Sequence, residues 1–187
     1  MKIIPSILAI LFLFSAGQVT SSAQNTNTAT VEPLLVSKAL QDEDCRHWVD
    51  SVMNKLSFKE KVGQLFIYTI APIDTKRNLE LLHEAVETHK VGGLLFSGGK
   101  MQTQVELTNR AQKQAKVPVM ITFDGEWGLA MRLRGTPVFP RNMVLGCIRD
   151  NQLIYEYGSE VARQCRQIGV QVNFAPVADV NINPKNP

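Results

Sequence analysis

The sequence predicts an α/β fold with a parallel sheet, and three observations carry that expectation. Short apolar runs bounded by turn residues recur along the chain, and stretches with apolar residues at helical spacing separate them. The strongest run, residues 117–123, delivers Asp124 at its end. Strands alternating with helices imply βαβ units. A short continuous apolar run reads as a strand buried on both faces.

Taken in order, residues 44–55 read as a helix with Cys45, Trp48, Val49 and Val52, then Leu56, at helical spacing. Ser57 and Glu60 form a capping box for a second, short helix. Residues 64–70 read as strand one. Residues 77–89 carry Leu79, Leu82 and Val86 on one face of an amphipathic helix, and residues 91–96 read as strand two. Residues 101–115 form a helix with Met101, Val105, Thr108, Ala111 and Ala115 inward. Residues 117–123 are strand three, where Pro118 is tolerated because it stands near the start. Asp150 N-caps a helix whose Ile154, Tyr157, Val161, Cys165 and Ile168 face the sheet, and Gly169 stops it. Residues 170–174 are strand four.

The N-terminus has a different character. Met1-Lys2 precedes an apolar run over residues 3–14, and Ser21-Ser22-Ala23 precedes Gln24. That is the pattern of a secretory signal, and the run falls well short of the roughly 20 residues a membrane span needs. The expectation is a signal peptide over residues 1–23, a disordered Gln/Asn/Thr/Ser-rich leader over 24–43, and a folded part over 44–187. The mature protein is expected in the periplasm or outside the cell, with no membrane attachment after cleavage.

Composition sets further bounds. Hydrophobic residues make up 44% and charged residues 20%, as in an ordinary globular domain. Removing Lys2 with the signal leaves 19 basic against 17 acidic side chains, with no basic cluster and so no case for nucleic acid. Cys45, Cys147 and Cys165 make an odd number for an exported chain. A Cys147–Cys165 bridge is one reading and free buried thiols the preferred one. No His/Cys cluster has metal-ligand spacing, so neither a metal nor another cofactor is expected, and His47, His83 and His89 read as surface or packing residues.

The chemistry gathers after strand three. In α/β folds ligands sit at the C-terminal ends of strands. Asp124 stands there, followed by Gly125, Glu126, Trp127 and Gly128, then Arg132 and Arg134. A carboxylate with glycines that admit a ligand to the backbone, and arginines nearby, suits a polyhydroxylated or charged small molecule. The bland alternative is a solvated Asp-Gly turn. A purely local reading pairs Asp124 with Glu126 as the two carboxylates of a glycosidase. Residues two apart on a strand lie ~6.6 Å apart on one face, near the ~5–5.5 Å a retaining mechanism uses.

These residues belong to a longer pattern. Asp124-Gly125-Glu126-Trp127-Gly128 with its following arginine resembles the D-x-E-x-G element of family 3 glycoside hydrolases. Residues 57–66 (SFKEKVGQLF) and 91–96 (VGGLLF) resemble the family's first helix with its first strand, and its second strand. Phe139-Pro140-Arg141-Asn142-Met143 resembles its F/L-P-x-x-M element, and residues 169–180 (GVQVNFAPVADV) its G-I-N-x-x-F-A-P-V-x-D-V signature. Residues 183–187 (NPKNP) resemble the N-P-x-N-P that follows. The elements run in family order over residues ~45–187.

The resemblance implies the first half, about four βα units, of a TIM-type (β/α)8 barrel, with the rest of the barrel as this chain's own missing partner. A complete four-stranded open α/β domain is the competing structural reading. In the family, the residue matching Asp124 hydrogen-bonds sugar hydroxyls. Glu126 is then a supporting residue paired with Arg132 or the backbone. Arg132 and Asp179 become substrate-binding candidates, with a role in pinning the 181–187 loop as the alternative for Asp179. Asn173 supports them by pointing into the same layer. Trp127, which stands where the family more often has Gly, either stacks on a sugar or packs under the Arg132 stem. The family's nucleophile is an Asp on a later strand. Its acid/base in the N-acetylhexosaminidase branch is a His on a K-H-x-P-G-x-G loop. Neither occurs before residue 187, so no catalytic residue is expected in these residues. The implied activity is retaining hydrolysis of terminal β-N-acetylhexosamine from peptidoglycan or chitin-type glycans. A β-glucosidase of the same family and a non-catalytic sugar-binding domain are the alternatives.

Overall fold

The computed structural model describes residues 41–177, 179, 182, 183 and 185. The expected signal peptide, and the leader as far as residue 40, lie outside the described residues. The chain divides into two units, one through Ser57 and one from Phe58 onward. The first contains helix α1 (Glu43–Lys55), which starts one residue before the expected boundary because Asp42 caps it by accepting hydrogen bonds from the N–H groups of Asp44 and Cys45.

The second unit alternates as expected. Helix α2 (Phe58–Gly63) leads to β1 (Ile67–Ile70), α3 (Lys76–His83) with a π-helical last turn (Glu84–Thr88), and β2 (Gly93–Phe96). Then come β3 (Gly99–Lys100), α4 (Met101–Gln114), β4 (Met120–Phe123), a 3-10 turn (Leu129–Met131) and β5 (Leu133–Arg134). Helix α5 (Asn142–Leu145), α6 (Asn151–Gln167) and β6 (Val172–Asn173) complete it. The main sheet has the order β1-β2-β4-β6, all parallel. Strand order follows chain order without reversal, as in the wall of a (β/α)8 barrel and unlike a doubly wound sheet.

All four strands of the main sheet start two or three residues later than their apolar runs, and two of the delays have a visible cause. Strand one was expected from residue 64, but the end of α2 claims its first residues: the N–H groups of Leu65 and Phe66 donate to the carbonyls of Val62 and Gly63. Gly63 sits so close to the chain that a Cβ there would lie 2.0 Å from the His89 carbonyl oxygen. Strand three was expected from residue 117. The side-chain amide of Gln112 instead bonds both the N–H (3.0 Å) and the carbonyl (2.6 Å) of Val119, so ladder pairing begins at Met120.

The core lies between the sheet and its helices, with Leu82, Leu94, Phe96, Ile121 and Phe123 almost fully buried. All four residues of β4 are buried, which is why this strand shows an unbroken apolar run. On α4 the buried stripe is Gln104, Leu107, Thr108 and Ala111. Thr108 and Ala111 were expected there, whereas Met101, Val105 and Ala115 are only partly buried. Gln104 was missed; its amide donates to Thr108 Oγ1 and to the Ile168 carbonyl. Helix α6 matches expectation, with Asp150 accepting from the Gln152 N–H at its start and Gly169 at φ +79° after its end. No described helix is long and apolar enough to cross a membrane. His83 and His89 are exposed and pair with Glu87 and Glu84 on the surface.

All three cysteines are free, but only Cys165 is buried; Cys147 is exposed. Burial raises the Cys165 thiol pKa, and the charge of Arg166 opposes that only in part. A raised pKa means less thiolate at any given pH, and the thiolate is the nucleophile. Cys147 should therefore be carbamidomethylated first by iodoacetamide at pH 8, and Cys165 only after denaturation. Peptide mass mapping of the labelled protein checks this, and early labelling of Cys165 would contradict its placement.

Candidate functional site

The site grows from the end of β4. The strand stops at Phe123, and Gly125 to Gly128 close a turn in which the Gly128 N–H donates to the Gly125 carbonyl at 3.1 Å. Gly128 adopts φ +98°, a left-handed value that favours glycine. The absence of its Cβ also admits the Phe139 ring, which such a Cβ would meet at 2.9 Å. The 3-10 turn then buries Leu129 and swings Arg132 back toward the strand end.

Arg132 grips Asp124 twice. One guanidinium nitrogen binds Asp124 Oδ2, and Nε donates to the Asp124 carbonyl oxygen at 3.1 Å. Each side chain is 36% exposed, so the pair faces solvent at the C-terminal end of the sheet. Asp124 Oδ1 has no partner among the described residues. On the other side stands Asn173, at the end of β6. Its Oδ1 accepts from the Gly125 N–H at 2.9 Å, and its Nδ2 donates to the Gly125 carbonyl at 3.2 Å. Two residues earlier, Gln171 Oε1 accepts from the Ile121 N–H at 2.6 Å. Strand β6 is thus held to β4 by side-chain amides as well as by the ladder.

The expected partner of Arg132 has to be corrected. Arg132 pairs with Asp124, and Glu126 has no hydrogen-bond or ion-pair partner among the described residues. Glu126 lies in the turn past the strand, so strand spacing does not relate it to Asp124. It lines a cavity of about 470 Å³ with Gly125, Asn173, Tyr157, Val161 and Ile154. Burial raises the Tyr157 phenol above its ordinary pKa, so it stays protonated at neutral pH. Glu126 lines this cavity and Asp124 does not.

Trp127 has a partner that neither expectation named. The Arg141 guanidinium lies 6.0 Å from the centroid of its ring, a cation–π contact, and Arg132 is occupied elsewhere. Arg141 had no signal beyond its place in the F-P-x-x-M element. Asp179 is exposed, and no bond ties it to Asp124, Arg132 or Asn173. Among the described residues no group of three or more His, Cys, Asp or Glu side chains could hold a metal.

What this arrangement offers is a carboxylate oxygen fixed in direction, at a strand end, with a charge partner that does not cover it. Gly125 makes the fixing possible. A Cβ there would lie 2.8 Å from the buried Phe123 ring and 3.0 Å from the Gly128 carbonyl. Gly125→Ala should therefore lower stability by about 1–3 kcal/mol through overpacking. Chemical denaturation of the variant measures it, and an unchanged midpoint would mean that the turn gives way freely.

Residues 57–187 match the glycosyl hydrolase family 3 N-terminal domain. The chain is 26% identical over 149 residues to a β-N-acetylglucosaminidase/β-glucosidase of Cellulomonas fimi, covering 78% of this chain and 25% of that protein. It is 33% identical over 119 residues to a β-hexosaminidase A of Pseudoalteromonas piscicida, covering 57% of this chain and 20% of that one. The chain spans a quarter or less of the length of the curated relatives it matches. A solved β-glucoside phosphorylase BglX bound to 2FGlc superposes on 78% of this chain and 26% of its own, with TM-score 0.64 and 23% identity. That likeness bears out the fold expectation of about four βα units of a TIM-type barrel.

Proposed function

This chain belongs to glycosyl hydrolase family 3, and on that premise we propose that its protein is a retaining glycosidase in which Asp124 binds the hydroxyls of the sugar being cleaved. The observation that carries the reading is the double grip of Arg132 on Asp124, which leaves Oδ1 open at the strand end. A carboxylate accepting from sugar hydroxyls makes a charge-assisted hydrogen bond worth about 1.5–3 kcal/mol. Retaining catalysis distorts the sugar toward an oxocarbenium-like transition state, so a fixed acceptor is worth more there than in the ground state. Arg132 keeps the carboxylate aimed, and Trp127 with Arg141 forms a flat rim on which a sugar face can stack. Neither Asp124 nor Glu126 is assigned as nucleophile, because the two have different surroundings; the nucleophile and acid/base belong to later strands of the barrel.

For substrate we propose terminal β-N-acetylhexosamine on peptidoglycan or chitin-type glycans, supported by the motif pattern around Asp124 and by the activities for which two relatives are named. A β-glucosidase is the second reading, favoured by the double activity in the name of the Cellulomonas relative. Turnover of an aryl β-N-acetylglucosaminide against an aryl β-glucoside by the full-length protein separates them, and turnover of neither would favour a sugar-binding domain. We also propose export with cleavage after Ala23. The intact mass of the protein from the periplasm or medium should then begin at Gln24, and a retained N-terminus would contradict it.

Asp124→Ala in the full-length enzyme should reduce kcat/KM on the order of a hundredfold, about 3 kcal/mol, with part of the loss in kcat. Asp124→Asn should cost less, and His83→Ala, on the helical surface, should leave the kinetics unchanged. A near-wild-type kcat/KM for Asp124→Ala would reduce Asp124 to a turn residue and defeat the reading.

A further inference from the structure

The peptide between Asp124 and Gly125 is held at both ends by side chains from different parts of the chain. Its carbonyl accepts from Arg132 Nε at 3.1 Å, and its N–H donates to Asn173 Oδ1 at 2.9 Å. Asn173 also donates to the next carbonyl, that of Gly125, at 3.2 Å. A peptide unit is planar, so two bonds on opposite edges define its orientation. That orientation points the Asp124 carbonyl at Arg132 Nε, and so places the guanidinium that grips the Asp124 carboxylate. Arg132 is long and flexible, so without a fixed carbonyl to meet, its guanidinium would follow the carboxylate rather than hold it in one direction. Asn173 is short, stands at the end of a strand paired with β4, and is half-buried.

We infer that Asn173 is a positioning residue that aims Asp124 at the substrate through the Asp124–Gly125 peptide, without touching the sugar itself. The inference rests on the reading of Asp124 as the sugar ligand. Its cause is local: losing the acceptor frees the Gly125 N–H and lets the peptide rotate, while the β4–β6 ladder and the Gln171 bond to Ile121 continue to hold the strands together. A misaim of about 1 Å is enough to weaken a contact made mainly in the transition state. The effect should therefore fall on kcat more than on KM.

The test is a double-mutant cycle in the full-length protein, assayed on whichever aryl glycoside it turns over. Asn173→Ala should lower kcat/KM about tenfold, chiefly in kcat. The same change in an Asp124→Ala background should cost less than about twofold, because nothing is left to aim. Asn173→Asp keeps the acceptor for the Gly125 N–H but sets an oxygen against the Gly125 carbonyl where the amide donates, so its loss should fall between wild type and the alanine variant; it carries the test if the alanine variant fails to fold. A wild-type kcat/KM for Asn173→Ala, an undiminished tenfold loss in the Asp124→Ala background, or an Asn173→Asp enzyme as impaired as the alanine variant would each overturn the inference. A harmless Asp124→Ala would instead remove the sugar-ligand reading on which it stands.

Discussion

Complete burial of β4 is the constraint from which the rest of this unit follows. All of its side chains are removed from water, so each backbone group needs a partner within the protein. The parallel neighbours β2 and β6 provide most of them. Parallel neighbours require helical crossovers, and with no reversal of strand order those crossovers lay α4 and α6, with their apolar residues, along one face of the sheet. The single hydroxyl on β4, Thr122, satisfies itself by donating to the Leu94 carbonyl of the adjacent strand. A strand enclosed in this way is a rigid rod with one end open, and the open end carries Asp124.

Where the ladders run out, amide side chains continue them. Gln112 closes the backbone at the start of β4, Gln171 reaches the Ile121 N–H alongside it, and Asn173 takes the Gly125 peptide at its end. Asn78 does the same for the loop after β1, donating to the carbonyls of Ala71 and Ile73. An amide carries both a donor and an acceptor, so it can stand in for a missing peptide neighbour without bringing charge into a region of low dielectric.

The enclosed strand, the alternation around it and the caps of α6 were legible because each rests on local chemistry: an unbroken apolar run, a 3.6-residue period, an Asp before a helix and a Gly after it. The carboxylate at the strand end was legible for the same reason. Pairings set by reach in three dimensions were not. Arg132 is eight residues from Asp124 and six from Glu126, and spacing alone does not decide between them; the 3-10 turn does, by directing the guanidinium to Asp124. The two-residue strands β3 and β5 are too short to show a period. Arg141 meets Trp127 across fourteen residues of chain, where Gly128 leaves room for Phe139 beside the turn. Gln104 reads as a surface residue until Thr108 and the Ile168 carbonyl are seen beside it.

The grip on the Asp124–Gly125 peptide comes from residues 8 and 48 positions further along the chain. The D-x-E-x-G stretch is therefore not a portable cassette. Copied into another strand–loop junction it would bring its carboxylate and glycines, but the aim would stay behind with Arg132 and β6. Transplanting this binding surface means moving two adjacent strands and the turn between them as one block.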